Sequence, residues 1–326
     1  MDGGMVIEEA ERMSKEEPIL VAIHCLVYNH EPYLRQCLDG FVMQKTNFRY
    51  VAVVHDDAST DNSAAIIREY AEKYPDIIKP IFETENQWSK HDGSLDRIMN
   101  AAIDATEAKY VAICEGDDYW TDSYKLQKQV DFMEIHPDFS MCCHGADVLN
   151  ETSRVVDCAC EKMSAREYFP DDVFPTWQIP TASIVYRKTE VDAYTLRNAD
   201  AFTVGDVILI LKCIHVGRVW GFADHMSVYR MNPGGVTSQV GTWNDKLKLC
   251  KHYEALMLNF PRIDTDYCHR FIAMINYTNF RQSKEYKTKM KSLWIAIKNK
   301  PTYVIWKLLK LKPKPRNDLF YRNYRC

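Results

Sequence analysis

The 326-residue sequence predicts an α/β fold with a mostly parallel central sheet, helices on both faces of the sheet, and a C-terminal helical extension. Three observations support this prediction. From residue 19 onward, apolar runs of strand length alternate with amphipathic segments, which is typical of parallel strands buried on both faces. Three of the early apolar runs end in polar clusters. After residue 242 the apolar periodicity is helical almost to the end of the chain.

The first half of the chain contains the clearest elements. The run ILVAIHCLV (19–27) predicts a buried strand, and a helix is expected over 32–44. A second strand, YVAVVH (50–55), precedes a helix that Thr60 and Asp61 are expected to cap. The remaining predictions are a strand over 77–82, a helix over 94–106, a strand over 110–115 and a helix over 123–136.

The second half is less regular. Strands are expected at 139–148 and 182–187, and VILILKCIHV (207–216) reads as either a helix or a strand. VWGF and MSVYRM predict two further short strands, and Pro261 and Pro301 are expected to interrupt the C-terminal helices. The predicted organisation is a polar leader (1–17), a first half-domain (18–120), a second half of the same domain (121–240) and an extension (241–326).

Composition and charge narrow the class of protein. The chain is 46% hydrophobic, carries a formal charge of −4, and lacks any run approaching the roughly 18 apolar residues of a membrane span. Its acidic N-terminus has no apolar segment of the signal-peptide type, so a cytoplasmic location is expected. From Lys284 onward the sequence holds 13 Lys and Arg against 2 Asp and Glu. The tail is therefore basic and the body acidic.

Polar clusters follow three successive predicted strands: YNHE (28–31), DDASTDNS (56–63) and EGDDYW (115–120). In such sheets ligands bind outside the carboxyl ends of the strands, so the clusters predict one site. Glu115 and Asp117 are expected to point the same way through the two-residue period of a strand, and to suit Mg²⁺ or Mn²⁺. The alternative is an acidic turn in which Asp118 or Thr121 caps the next helix.

Two common nucleotide-binding patterns are missing from the sequence. It contains neither G-x-x-x-x-G-K-[ST] nor a G-x-G-x-x-G turn after the first strand. P-loop and dinucleotide-binding enzymes are therefore disfavoured.

The order of the three clusters on alternating strands and helices resembles the nucleotide-sugar half of family 2 glycosyltransferases with the GT-A fold. The resemblance is strong over residues 18–135 and weaker to about residue 240. It implies a Rossmann-like GT-A sheet in which 18–120 binds a nucleotide sugar and 121–240 binds the acceptor.

The resemblance also implies roles for individual residues. Asp57 would lie against the base of the donor with Asp56 as support, while Asp117 would ligate the metal and Glu115 would contact the ribose or the metal shell. Arg230 would neutralise phosphate charge, with a surface ion pair as its alternative. The implied donor-binding residues are Tyr28, Asn29, Glu31, Asp56, Asp57, Glu115 and Arg230, and the implied metal ligands are Asp117 and Glu115.

For the chemical step, the resemblance implies an acid at the start of a helix in the second half. Asp206 is the candidate base, and its alternative role is to cap that helix. Trp177 and Thr181 are expected on the acceptor side, where an aromatic face and a hydroxyl can contact a sugar.

The resulting hypothesis is a metal-dependent inverting glycosyltransferase using a nucleotide-sugar donor, expected to be UDP-linked, and a glycan or lipid-linked acceptor in cell-surface polysaccharide assembly. A nucleotidyltransferase, a glycoside hydrolase and a non-catalytic nucleotide-sugar-binding module are the alternatives. No nucleic-acid partner is expected. Residues 301–316 combine apolar side chains with lysines, which indicates contact with the inner membrane surface or, alternatively, a helix docked on the domain.

Overall fold

The structure, a computed structural model, describes residues 17–151, 162–174, 178–202, 205–232 and 243–309, with only the backbone described for 243–247. These residues form a nine-stranded mixed sheet and eleven α-helices. The chain divides into two compact units. Unit 1 comprises Met1–Glu167, Ile179–Ala193 and Val216–Met231, and unit 2 comprises Tyr168–Gln178, Tyr194–His215 and Asn232–Cys326.

The sheet has the strand order β3-β2-β1-β4-β8-β6-β9-β5, with β7 paired to β9. Its first four strands in this order, β3 to β4, are mutually parallel, as is the pair β6 and β9. Strand β8 lies antiparallel between β4 and β6, and β5 is antiparallel to β9. The predicted mostly parallel α/β sheet is thus confirmed. The strands are β1 (Ile19–Val27), β2 (Arg49–Asp56), β3 (Ile78–Phe82), β4 (Tyr110–Ile113), β5 (Tyr119–Trp120), β6 (Phe139–Asn150), β7 (Arg166–Tyr168), β8 (Val185–Arg187) and β9 (Arg218–Met231).

Helices cover both faces of the parallel part of the sheet. Alternate residues of β1 enter two different apolar clusters, because side chains of a strand point to opposite faces. Ile23 packs with helices α1, α2 and α4, whereas Ala22 packs with α3. The helices of this part are α1 (Leu34–Val42), α2 (Ser63–Lys73), α3 (Ser94–Asp104) and α4 (Lys125–Ile135).

Strand β9 corrects one sequence prediction. VWGF and MSVYRM belong to a single strand, not to two short ones. Its register against β6 shifts from His144 opposite Phe222 to Gly145 opposite His225, so Ala223 and Asp224 form a bulge. The residues between these two segments, 223–225, are therefore accommodated within the pairing of β9 with β6.

The described residues of unit 2 are mostly helical, with short connecting segments. The ambiguous run after residue 206 is a helix, which buries side chains along almost its whole length and therefore shows no clear period. Pro261 and Pro301 interrupt the C-terminal helices as expected, and a further break at 283–285 was not predicted. The remaining helices of the chain are α5 (Pro170–Val173), α6 (Lys188–Asp192), α7 (Gly205–Val216), α8 (Trp243–Asn259), α9 (Thr265–Gln282), α10 (Tyr286–Asn299) and α11 (Pro301–Leu308).

Across the described part of the chain, none of the helices is both long enough and apolar enough to cross a bilayer.

Candidate functional site

The three polar segments meet at the carboxyl ends of β1, β2 and β4, as predicted. The backbone N–H of Asp57 donates to the carbonyl of Val27 at 2.9 Å, and that of Gly116 donates to the carbonyl of Leu26 at 3.0 Å. Both segments are thereby fixed to the end of β1. Since β1 is central among the parallel strands, its end organises the site.

Polar side chains lock the loop after β1 to the loop after β2. Asn29 has a φ of 55°, a left-handed conformation that asparagine tolerates better than most residues, and its Oδ1 accepts the N–H of Thr60 at 2.7 Å. The Glu31 carboxylate accepts the backbone N–H and the side-chain amide of Asn62 at 3.0 and 2.7 Å. Asn29 and Glu31 therefore shape the site by holding a second loop. Tyr28, in contrast, is 45% exposed.

Asp61 supports the start of helix α2, as the sequence predicted. Its Oδ1 accepts the N–H of Ser63 at 2.9 Å, and its Oδ2 accepts the N–H of Glu31 at 3.0 Å. One carboxylate thus serves a helix N-terminus and the neighbouring loop.

The two acids after β2 have different surroundings. The carboxylate of buried Asp57 accepts the N–H of Gln87 at 2.6 Å and the N–H of Trp88 at 3.0 Å, which holds the loop after β3. Buried Asp56 accepts the N–H of Ser59 through Oδ2 at 3.3 Å, whereas its Oδ1 has no hydrogen-bond partner among the described residues. The unsatisfied acceptor therefore belongs to Asp56, and the predicted base contact of Asp57 stays a prediction.

The acidic segment after β4 forms a turn. Strand β4 ends at Ile113, and the N–H of Asp118 donates to the carbonyl of Glu115 at 3.1 Å. The expectation that Glu115 and Asp117 share a direction through the strand period is therefore wrong, because neither residue lies in a strand. Both side chains are half-buried on the turn.

Gly116 allows this turn to approach the end of β1. A Cβ on Gly116 would lie 2.8 Å from Nδ1 of His30 and 2.9 Å from Cγ2 of Val27. Non-bonded heavy atoms do not pack that closely, so any other residue would displace the YNHE loop.

Asp118 is buried and does not cap a helix. Its Oδ1 accepts the backbone N–H of Arg230 at 2.8 Å, while Asp122 accepts the N–H of Tyr124 at the start of α4. The predicted capping role of Asp118 is therefore wrong. Burial, and next the charge of Asp117, raise the pKa of Asp118 well above its usual range. Asp118 therefore holds a proton more readily than an exposed carboxylate does.

His30 is a site residue that sequence reasoning did not single out. Its Nε2 lies 4.0 Å from Oδ2 of Asp117, and its buried Nδ1 has no hydrogen-bond partner among the described residues. Burial lowers the pKa of His30, while the charge of Asp117 opposes this shift. The imidazole is therefore neutral at neutral pH, and its place within YNHE was the available signal.

The carboxylates of this turn fit a hard divalent cation. Oxygen donors suit Mg²⁺ and Mn²⁺, which need only one or two carboxylates when water and phosphate oxygens complete the shell. Within the described ranges, no group of three or more His, Cys, Asp and Glu side chains is arranged to hold a metal alone. Asp117 and Glu115 are thus suited to a metal that arrives with a diphosphate, and not to a closed protein cage.

Arg230 is buried and bound to protein groups. Its Nε donates to the carbonyl of Asp117 at 2.9 Å, and one Nη donates to Gln36 at 2.6 Å while the other pairs with Glu151. The expected surface ion pair is therefore a buried one. In this structure the guanidinium supports the acidic turn, and its predicted phosphate contact would require new hydrogen-bond partners. The rings of Tyr33 and Tyr119 lie 4.7 and 5.3 Å from the guanidinium carbon.

The remaining predicted residues lie in other segments. Thr181 begins a short turn whose Ala182 carbonyl accepts the Trp120 indole N–H at 2.8 Å, so the turn is fixed to β5. Asp206 lies in the first turn of α7 in unit 2, where its Oδ1 accepts the N–H of Val207 at 2.7 Å. Because α7 begins at Gly205, Asp206 is its second residue and not its N-cap, and this bond satisfies one N–H of the first turn. Trp177 lies outside the described residues.

Comparison with known proteins identifies the family that this sequence resembles. The sequence profile described as Glycosyl transferase family 2 matches residues 23–183, which include all three polar segments. Residues 23–183 belong to glycosyltransferase family 2. An uncharacterized protein of Mycobacterium tuberculosis is 34% identical over 217 residues, or 66% of this chain, and this chain spans only 60% of that relative.

Solved structures confirm that this chain has the GT-A-like α/β fold. Residues 1–349 of Staphylococcus aureus TarS in complex with UDP-GlcNAc are similar with a TM-score of 0.57 and 16% identity, covering 86% of this chain and 81% of the TarS 1–349 chain. A Pyrobaculum calidifontis mannosyltransferase in complex with GDP-Man and Mn²⁺ has a TM-score of 0.51 and 14% identity, covering 94% and 91% of the two chains. At these identities the likeness concerns the fold alone.

A buried lysine, Lys125, packs against β5, the strand that follows the acidic turn. The Nζ of Lys125 donates to Gln129 at 2.7 Å and lies 4.1 Å from the centre of the Trp120 ring. Gln129 in turn donates to the carbonyl of Ser183 at 2.9 Å. Burial lowers the pKa of Lys125 from 10.5 to about 7. The lysine thus supports both the β5 segment and the turn that contains Thr181.

We expect Lys125 to make the stability of the fold depend on pH. Between pH about 7 and 10.5 the unfolded chain keeps this proton and the folded chain releases it, so the contribution of Lys125 to stability rises with pH, by up to about 1.4 kcal/mol per unit. This contribution to stability is fully present above pH 10.5 and is lost as the pH falls through about 7. Urea unfolding of the wild type and Lys125→Met across this range measures the difference in slope; equal slopes would contradict the prediction.

Proposed function

We propose that the protein is a metal-dependent glycosyltransferase that moves a sugar from a nucleotide-sugar donor to a hydroxyl of a glycan or lipid-linked acceptor. The observation that carries the proposal is the convergence of the three polar segments on the end of β1, with the Asp117 and Glu115 carboxylates on the turn above it. This acidic edge suits a ligand that brings its own cation and phosphate oxygens.

The proposed donor is UDP-linked, and the transferred group is a hexosyl or N-acetylhexosaminyl unit. TarS, which shares the fold, was solved with UDP-GlcNAc, and the Pyrobaculum mannosyltransferase was solved with GDP-Man and Mn²⁺. The Mn²⁺ of the Pyrobaculum complex supports a divalent cation, Mg²⁺ or Mn²⁺, as the cofactor of this chain. Family membership is compatible with either donor nucleotide, so the base is the first property to test.

In the proposed mechanism, Asp117 and Glu115 hold the cation, with His30 beside Asp117. When bound, the metal offsets the charge that develops on the leaving diphosphate. Tyr28 and Asp57, with Asp56 as support, would contact the base and ribose, and the unsatisfied Oδ1 of Asp56 can accept an N–H of the base. Asp206 takes the proton of the acceptor hydroxyl as its oxygen attacks the anomeric carbon. A single displacement of this kind inverts that carbon.

The proposal extends to the cellular setting. The acceptor belongs to cell-surface polysaccharide assembly, with Thr181 and Trp177 on the acceptor side, and the enzyme acts in the cytoplasm at the inner face of the membrane. The basic segment 301–316 supports membrane contact, although its residues 310–316 lie outside the described part of the chain. The functional division of the domain near residues 120 and 240 is likewise part of the proposal.

Thermal melting in the presence of UDP, GDP, CDP or dTDP, each with Mn²⁺ or with EDTA, tests this function. Saturating UDP with Mn²⁺ is expected to raise the melting temperature by about 5 °C, because ligand at a hundredfold excess over its Kd adds roughly 2.7 kcal/mol of stability. EDTA is expected to remove most of the shift. If none of the four nucleotides gives a metal-dependent shift, the proposal is wrong.

A further inference from the structure

Helix α10 exposes a continuous apolar stripe. Tyr286, Met290, Trp294 and Ile297 are 76%, 42%, 62% and 45% exposed. At 100° per residue their spacings of four, four and three residues place them within about 80° of the helix circumference. We call these four residues the α10 stripe. Large apolar side chains that are exposed together mark an interaction surface more often than isolated ones do.

One edge of the α10 stripe is basic. Lys287, Lys291 and Lys298 are exposed and fall on the same side of the stripe, within about 60° of Trp294. The Nζ of Lys298 lies 5.4 Å from the Trp294 ring. The helix contains no Asp or Glu. A partner for this surface must therefore be apolar where it meets the stripe and anionic beside it.

The stripe is distinct from the face by which α10 docks within unit 2. Ala296 of α10 is fully buried in a cluster with Tyr277 of α9 and Val304 of α11. The lysine-rich C-terminal helices are therefore docked on neighbouring helices and at the same time present an unpacked apolar surface. Docking and partner binding use different faces, so the two alternatives raised by the sequence are compatible.

Helix α11 extends the same chemistry along the chain. It buries Val304 but leaves Ile305 51%, Trp306 40% and Leu308 59% exposed beside exposed Lys307. Two successive helices thus combine tryptophan, aliphatic side chains and lysine at their surfaces. Tryptophan and lysine are the residues that anchor proteins at the boundary between lipid headgroups and acyl chains.

The lysines beside the α10 stripe distinguish between two possible partners, a second copy of the chain and an anionic membrane. In a symmetric contact between two copies of the stripe, the lysine edges of both copies would contribute positive charge to one interface. A bilayer with anionic lipids accepts the apolar side chains at the acyl boundary and the lysines at its headgroups. We propose that the α10 stripe and the exposed residues of α11 bind an anionic membrane surface, with both helices lying in its plane. This inference deepens the membrane contact proposed above for residues 301–316, and it does not depend on the proposed transferase reaction.

Co-sedimentation of the full-length protein with vesicles tests the inference. Binding is expected to vesicles of phosphatidylcholine mixed with phosphatidylglycerol, to weaken above about 0.15 M salt, and to be much weaker with phosphatidylcholine alone. Trp294→Ser is expected to weaken binding roughly tenfold, because it removes a large apolar side chain from the acyl boundary. Lys291→Gln is expected to cost about fivefold, and only with the anionic vesicles.

Matched controls lie elsewhere on the surface. Ile135, which is 73% exposed on α4, and exposed Lys73 on α2 are replaced by Ser and Gln, respectively, with no expected loss of vesicle binding. Equal sedimentation with both kinds of vesicle would overturn the inference. So would a dimer in analytical ultracentrifugation that Trp294→Ser dissociates. Nucleotide-dependent melting of the same variants is measured separately and is expected to match the wild type, so failure of membrane binding is distinguishable from failure of the proposed function.

Discussion

Replacing Asp117 by Asn is expected to abolish the metal-dependent melting shift with nucleotide and to lower kcat/KM by at least about a hundredfold. Asp117 lies on the turn after β4 with a half-buried carboxylate beside His30. Asparagine keeps the size of the side chain and one oxygen, but it cannot supply the negative charge that a divalent cation needs. The fold is expected to persist, because no buried apolar contact is removed.

Asp118→Asn is the matched control for this experiment. Asp118 is the adjacent acid, and burial raises its pKa well above the usual range, which makes it a weaker candidate for a metal ligand than Asp117. Its Oδ1 accepts the N–H of Arg230, a role that an amide oxygen performs equally well. We expect kcat/KM within about threefold of the wild type and an unchanged metal-dependent shift. Equal losses in the two variants would show that metal binding is not specific to Asp117.

Sequence reasoning succeeded for the buried strands and for the position of the polar clusters. The buried strands β1, β2 and β4 and the polar clusters at their ends follow from local patterns, because a parallel strand covered on both faces must be apolar and its loops must carry the polar groups. Convergence of the clusters was therefore predictable. The same local logic gave the approximate bounds of most helices.

The roles within the cluster depended on contacts that are distant in sequence. Asp118 is held in its buried position by the backbone N–H of Arg230, 112 residues later in the chain. Nothing in the segment EGDDYW distinguishes Asp118 from Asp117. His30 lies beside Asp117 only because Gly116 lets the two loops approach. The bulge at Ala223 and Asp224 was missed for a similar reason, since pairing with β6 overrides a local sequence that resembles a turn.

Unit 2 shows a different limit of sequence reasoning. The run after Asp206 is apolar at nearly every position, so its period could not decide between helix and strand. Packing within unit 2 decided for a helix. Asp206 therefore lies in a first helical turn, where the positive end of the helix dipole favours a carboxylate. That position fits both support of the first helical turn and a proton acceptor, and an experiment must separate them.

Asp206→Asn is expected to lower kcat about a thousandfold while leaving the nucleotide-dependent melting shift unchanged. The reason is that the amide oxygen of asparagine can accept the same N–H of Val207, so this bond in the first turn can be retained while the base is lost. Support of the helix alone therefore predicts nearly full activity for this variant. A base predicts a large loss of turnover with intact donor binding.

Two further variants separate the structural role of Asp206 from its proposed role as the base. Asp200→Asn replaces an exposed acid of the same unit and is expected to keep wild-type turnover. Asp206→Ala removes both the first-turn bond and the base, so it should add a stability loss of about 1 kcal/mol to the same fall in kcat. Initial rates at saturating donor, together with melting temperatures, separate the two effects. Loss of a general base lowers turnover at least about a hundredfold. If Asp206→Asn keeps more than about half of the wild-type turnover, Asp206 supports the helix and is not the base.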